Sequence, residues 1–167
     1  MEDSFTIRPF EPQEWPTYRD VRLRSLAESP QAFCSTYASE QQRTSEEWAA
    51  RLAAAAVSGK DYPLVAELDG VAVGLLYAKV DADDDSVVNI FQVWVAPEGR
   101  GRGIAAALVR EAVRWARARH ARVVRLAVIG ETAARRLYLR EGFRDYGTPE
   151  PRPDSPLLEQ SMELQLS

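Results

Sequence analysis

One cysteine and one histidine are all that 167 residues contain of the two side chains that most often carry disulfides or hold zinc. Cys34 alone closes no internal disulfide, and no Cys/His cluster has the spacing of a zinc site. No histidine stands at a spacing that would activate Cys34, so an acyl-enzyme route is not expected. A chain without disulfides fits a reduced, cytoplasmic setting. Long apolar runs are missing too: each is broken by Arg, Asp or Gly well short of a membrane span, so no membrane partner is expected. The opening "MEDSFTIRPF" carries acids and lacks the apolar core of a secretory signal. There is no internal repeat and no interdomain linker. At this length a single domain over residues 1–167 is expected.

The formal net charge of −4 argues against a nucleic-acid partner, but it conceals a split. Residues 97–146 hold 12 arginines against 5 acidic side chains, while the rest holds 9 basic against 20 acidic. Exposed charges usually mark solvated helix faces. A basic third beside an acidic remainder also suits a protein that meets an anion on one side and a cation on the other.

Periodicity and punctuation give the elements. "SFTIRPF" reads as a strand. "EWPTYRDVRLRSLAES" has Trp15, Tyr18, Val21, Leu23 and Leu26 at helical spacing. "TSEEWAARLAAAAVSG" starts on a cap at Thr44 or Ser45 with Glu47 behind it, and stops at Gly59. "YPLVAELDGVAVGLLYAKV" is a hairpin turning at Asp69-Gly70, and "SVVNIFQVWV" is the next strand. A helix from Ile104 to about Arg119 carries an apolar stripe of Ile104, Leu108, Ala112 and Trp115, with Arg110, Arg114 and Arg117 opposite. Then follow the strand "RVVRLAVI", the short helix "ETAARRLYLREG", and the strands "FRDYG" and "LLEQSMELQL" across a proline-rich crossing, "TPEPRPDSP". The order β-α-α-β-β-β-α-β-α-β-β predicts an α/β (mixed α+β) domain with a central mixed sheet flanked by helices.

The stretch "APEGRGRGIAAALV" puts glycines and arginines directly before a helix. A helix N-terminus presents unpaired amides and a partial positive charge. Glycines let an anion approach those amides, so the N–H groups from Arg100 to Ala105 suit a phosphate or pyrophosphate. Arg100 and Arg102 would add charge at its rim. A plain strand-to-helix turn with solvated arginines has the same sequence. Gly101-x-Gly103-x-x-Ala106 also fits a loose dinucleotide fingerprint, with Glu131 after the next strand. Against a nicotinamide dinucleotide, "APEGR" separates the strand from the first glycine, and the unit is single and late in the chain.

Together with "ETAARRLYLREGF", this loop resembles the GCN5-related N-acetyltransferase (GNAT) family, from first strand to last. The family's Arg/Gln-x-x-Gly-x-Gly/Ala loop is matched by Arg100, Gly101, Arg102, Gly103, Ile104 and Ala105. Its second motif, Asn-x-x-Ala-x-x-Leu-Tyr-x-x-x-Gly-Phe, is matched by Ala134, Leu137, Tyr138, Gly142 and Phe143, with Glu131 in place of the Asn. The resemblance implies the GNAT fold, a mostly antiparallel sheet, with acetyl-CoA as cosubstrate and its pyrophosphate on the Arg100–Ala105 loop. It gives Val93 and Val95 main-chain roles toward the pantetheine arm, the Val93 amide facing the thioester carbonyl. Tyr138 inherits the role of protonating the departing thiolate. A phenol near ~10 is a weaker acid than a thiol near ~8.5, so positioning matters more than acidity. Gly130, Ala134 and Tyr138 fall at i, i+4, i+8 on one face. Glu131, which only accepts hydrogen bonds when ionised, is expected to cap the short helix.

The expected reaction is direct acetyl transfer to a primary amine through a tetrahedral intermediate, a small molecule first and a protein or peptide amine second. A sensor or scaffold that holds acyl-CoA without turnover is the alternative. The base is expected to be a carboxylate, alone or through water, with Glu28, Glu40 and the Asp81–Asp85 cluster as candidates, while His120 at a helix end is expected to meet the helix dipole or to be exposed. Gln92 and Asn89 alternate with Val93 and are placed to hold a water or orient the acceptor. Phe33, Tyr37 and Trp94 would form an aromatic wall for it. Dimerisation through the final strands rests on the family analogy.

Overall fold

A computed structural model describes residues 4–29, 36–130, 132–152 and 155–166. Its elements run β1 (Phe5–Pro9), α1 (Trp15–Glu28), α2 (Tyr37–Gln41), α3 (Ser45–Ser58), β2 (Asp61–Leu68), β3 (Val71–Val80), β4 (Val87–Val95), α4 (Ile104–Ala118), β5 (Val123–Ile129), α5 (Ala133–Arg140), β6 (Arg144–Asp145), β7 (Glu150–Arg152) and β8 (Ser155–Gln165).

Local chemistry sets the boundaries. The Thr44 hydroxyl accepts from the Glu47 amide at 3.1 Å, and the Glu47 carboxylate accepts from the Thr44 amide at 3.3 Å, which closes the box that starts α3. Gly59 ends that helix at φ +70°. Asp69 and Gly70, at φ +54° and +80°, make the β2–β3 turn with the twist a two-residue hairpin needs.

The strands form one sheet in the order β1-β2-β3-β4-β5-β8-β6, with β7 also paired to β8. Every pairing is antiparallel except β4 with β5. Two elements go beyond the sequence pattern. The five residues of α2 are too few for an apolar period, and the helix forms on Thr36, whose side chain accepts from the Ser39 amide. Strand β7 comes from the proline-rich crossing. Proline lacks a ladder donor but is tolerated in a strand that pairs along one side only, and β7 pairs only with β8.

Tyr18, Leu26, Trp48 and Leu52 are buried between α1, α3 and one face of β2–β4, while Ile104, Leu108 and Ala112 of α4 are buried as well. The arginines opposite that stripe, Arg110, Arg114 and Arg117, are exposed. Among the described residues no helix is long and apolar enough to cross a membrane.

Candidate active site

The site begins where two strands part. Strands β4 and β5 pair in parallel only from Val87, Val88 and Asn89 to Val123, Val124 and Arg125. Beyond that they diverge, because β4 is bulged. Leu75 faces Trp94 and Tyr77 faces Phe91, so Leu76 alone opposes both Gln92 and Val93. Gln92 takes the left-handed conformation, φ +62°. For a side chain other than glycine this costs about 1–3 kcal/mol. Its Oε1 accepts a 2.8 Å hydrogen bond from the Tyr18 hydroxyl of α1. The bulge corrects the simple alternation expected of Asn89, Gln92 and Val93: the extra residue puts Phe91 and Trp94 on one face of the strand.

Between the diverging strands lies a cleft of about 500 Å³, lined along β4 by Asn89 to Val93 and along β5 by Arg125 to Ile129. Helix α5 closes one side. Its cap is Thr132, whose hydroxyl accepts from the Arg135 amide at 3.3 Å, in place of the expected Glu131, which lies outside the described residues. Gly130, at φ +72°, precedes the helix, so the small-residue face reduces to Ala134 and Tyr138, and both line the cleft. The Tyr138 ring packs on Phe143 at 6.0 Å, and among the described residues its hydroxyl has no hydrogen-bond partner. Burial pushes the Tyr138 phenol well above its ordinary value of 10.0. It therefore holds its proton throughout the neutral range.

The glycine loop stands at the start of α4. Gly101 and Gly103 have φ of +80° and +82°, and nothing lies within 4 Å of where a Cβ would project from either. The first bond into the helix is from the Ala107 amide to the Gly103 carbonyl. The amides of Gly101, Gly103, Ile104, Ala105 and Ala106 have no backbone acceptor among the described residues. Ile104 has its side chain in the core and Ala105 is half-buried, so their contribution to the mouth of the loop is main-chain amides. Arg102 is half-buried. Arg100 turns inward: its Nε donates to the Val95 carbonyl at 3.0 Å and its Nη2 to Glu28 at 2.9 Å. The Val95 carbonyl is thus held by the protein itself.

The residues expected to meet the acceptor are dispersed. Gln92 lines the cleft. Tyr37 is 41% exposed on α2 and lies outside the lining. Trp94 is buried, its indole donating to Glu28 at 2.9 Å and its ring lying 5.5 Å beneath the Arg24 guanidinium. Phe33 falls outside the described residues, as does Cys34. Of the candidate bases, Glu28 is held down to about 2 by the Ser29 hydroxyl, the Trp94 indole and Arg100. Buried Glu40 is paired with Arg43 and Arg51, and Asp81 accepts from the Asn89 amide at 2.9 Å. His120 is exposed at φ +63° just past α4.

Sequence reasoning missed the far wall. Glu159 is the carboxylate that lines the cleft among the described residues, beside Ser161, Tyr146 and Arg125. The Arg125 guanidinium stacks 4.5 Å from the Tyr146 ring and donates to Glu163 at 3.2 Å. The signal was the period of two in "LLEQSMELQL": Glu159, Ser161 and Glu163 pair with Ile129, Ala127 and Arg125 on one face, opposite buried Met162. A doubly wound dinucleotide fold does not match this frame. A 3-10 turn, Pro97–Gly99, separates β4 from the glycines, and among the described residues only one strand pair is parallel.

Comparison with known proteins agrees with this geometry. A protein of Archaeoglobus fulgidus named an uncharacterized N-acetyltransferase is 37% identical over 91 residues, a match spanning 51% of this chain and 61% of that relative. The acetyltransferase of GNAT family from Streptococcus pneumoniae superposes with a TM-score of 0.83 at 23% identity, over 98% of this chain and 100% of its own. PaiA N-acetyltransferase from Thermoplasma acidophilum, solved in complex with coenzyme A, gives 0.72 at 17% identity, over 98% and 99%. These structures share the fold. The family model described as Acetyltransferase (GNAT) family matches residues 13–143, so the chain belongs to the GNAT acetyltransferase family.

Proposed function

We propose that the chain transfers an acetyl group from acetyl-CoA to a primary amine, a small-molecule amine first and a peptide amine second. The observation that carries the reading is the parting of β4 and β5, which leaves Val93, Ala134 and Tyr138 around one cleft. The volume of that cleft, about 500 Å³, is of the size that takes a small-molecule ligand. One sheet with one continuous core supports a single acetyltransferase domain.

Acetyl-CoA supplies the acetyl group as a thioester. The open cradle of Gly101 and Gly103, with the first amides of α4, suits its pyrophosphate. Ala134 leaves width for the pantetheine arm. The amine nitrogen forms the new C–N bond, the C–S bond breaks, and the sulfur takes its proton from the Tyr138 hydroxyl, which solvent restores. The Val93 amide stabilises the negative charge that develops on the carbonyl oxygen. Glu159 draws the acceptor's ammonium into the cleft and takes its first proton, directly or through water, and the second leaves the nitrogen to solvent as the tetrahedral intermediate collapses.

Calorimetric titration with acetyl-CoA, run beside NADH, tests the first half. Saturable binding of acetyl-CoA alone is expected, and binding of NADH alone would end the acetyltransferase reading. Thiol release with a panel of amines tests the second half. Binding without release would leave an acyl-CoA sensor.

A further inference from the structure

We infer that Tyr18 is a positioning residue for acetyl transfer: its hydroxyl locks Gln92 in the left-handed bulge of β4 and so sets the direction of the Val93 amide. The inference rests on reading the cleft as an acetyltransferase site.

Among the described residues only Asp69, Gln92 and His120 have a positive φ without being glycine. Asp69 sits in a hairpin turn and His120 at a helix end, where exposed chain commonly adopts that conformation. Gln92 is different: it lies within a strand, half-buried, in a bulge against β3 and just past where β4 parts from β5. Glycine adopts the conformation readily, whereas glutamine needs a tie. The tie comes from 74 residues away, the 2.8 Å bond from Tyr18.

Tyr18 is a fixed anchor. It is fully buried, with ring centroids of Phe10, Trp48 and Tyr77 at 5.4, 5.8 and 6.5 Å, all meeting it edge-on. Burial raises its phenol, with Arg51 and Arg22 opposing the rise, so the hydroxyl remains a donor at neutral pH. Phenylalanine at this position keeps the ring contacts and removes the hydroxyl, which donates to Gln92 and also meets Arg51, so Gln92→Leu is needed to isolate the bond to Gln92. If the bond merely stabilised the fold, its loss would lower the melting temperature and spare turnover. A bond that aims the Val93 amide affects kcat and spares the KM for acetyl-CoA.

The test uses Tyr18→Phe, Gln92→Gly and the double variant in the full chain. It measures kcat and KM with the best amine of the panel, and the ¹⁵N-valine amide spectrum of the protein without ligand. Tyr18→Phe is expected to move the Val93 resonance and to lower kcat about tenfold, ~1.4 kcal/mol, with KM within about twofold. Added to Gln92→Gly, which reaches positive φ unaided, Tyr18→Phe is expected to change kcat less than about twofold. Gln92→Leu removes the acceptor with Tyr18 intact, should lower kcat as Tyr18→Phe does, and decides the matter if Tyr18→Phe does not fold. An unmoved Val93 resonance, or equal losses in the wild-type and Gln92→Gly backgrounds, overturns the inference. Absence of any thiol release from the wild type would overturn the function instead, and the Val93 resonance would still decide whether Tyr18 sets the bulge.

Discussion

Arg100 and Glu28 are joined at 2.9 Å, which fastens the glycine loop ahead of α4 to the last residue of α1. The other Glu28 oxygen accepts from the Trp94 indole and the Ser29 hydroxyl, while Arg24 of α1 grips Glu98 with two bonds of 2.7 Å. Helix α1 thus holds the approach to the loop at two points, Glu98 and Arg100, and through Tyr18 it holds the bulge as well. A loop fixed before a ligand arrives gives up less freedom on binding.

The Glu28 tie has a pH signature. Its partners depress the carboxyl from 4.5 to about 2, so the stability it contributes is complete above pH 4.5 and drains as pH falls toward 2. Glu28→Gln is expected to lose under about 1 kcal/mol at pH 7, because the pair is part-exposed. Its melting temperature should then fall less steeply than that of the wild type across that acid window. Thermal melts at stepped pH measure the difference, and parallel curves would mean the tie contributes nothing.

Two glycines separate backbone strain from ligand binding. Gly59 and Gly103 both have positive φ with open space around them, but only Gly103 stands at the start of α4. Alanine at either position should cost about 1–2 kcal/mol of stability. Gly103→Ala should also weaken acetyl-CoA binding by more than about tenfold, since its methyl group projects where an anion approaches. Gly59→Ala should leave that affinity unchanged. Calorimetric titration of both variants checks the contrast.

Much of this frame was legible in the chain because local chemistry wrote it. The Thr44 box, the Asp69-Gly70 turn and the glycines of the α4 loop each depend on neighbours a few residues apart. The bulge at Gln92 does not: its sequence, "NIFQVWV", reads as an unbroken strand, and the bond that permits the kink comes from Tyr18 in α1. Trp94 was misplaced for the same reason, since one extra residue swaps the faces beyond it. The cap of α5 fell to Thr132 because a hydroxyl one residue nearer the helix reaches the Arg135 amide. Glu159 went unnoticed because β8 comes late and pairs with β5, Glu159 itself facing Ile129 far upstream.

A substitution at Glu159 tests the proposed acceptor binding apart from cofactor binding. It lines the cleft on the wall built by β8, away from the glycine loop. Glu159→Gln keeps the shape and removes the charge. The KM for a cationic amine is expected to rise about tenfold or more while the KM for acetyl-CoA stays within about twofold. Steady-state kinetics with each substrate varied in turn gives both values, and an unchanged amine KM would move the acceptor's ammonium elsewhere.

Tyr138 tests the chemistry itself. Its hydroxyl has no partner among the described residues and the residue lines the cleft, so Tyr138→Phe removes no hydrogen bond to any of them. Stability at pH 7 should stay within about 0.5 kcal/mol of the wild type. Turnover should drop by about 100-fold, the loss typical of removing a proton donor, with the KM for acetyl-CoA little changed. The raised phenol adds an alkaline signature. Because the folded value lies above the ordinary 10.0, the unfolded chain surrenders this proton first, so the stability tied to Tyr138 is complete below pH 10 and is lost as pH climbs beyond it. The variant should therefore melt with a shallower alkaline decline than the wild type. Below pH 10 the wild-type rate should show no fall from loss of this proton. A variant that turns over normally would leave the sulfur to be protonated by water, and Tyr138 would be a packing residue beside Phe143.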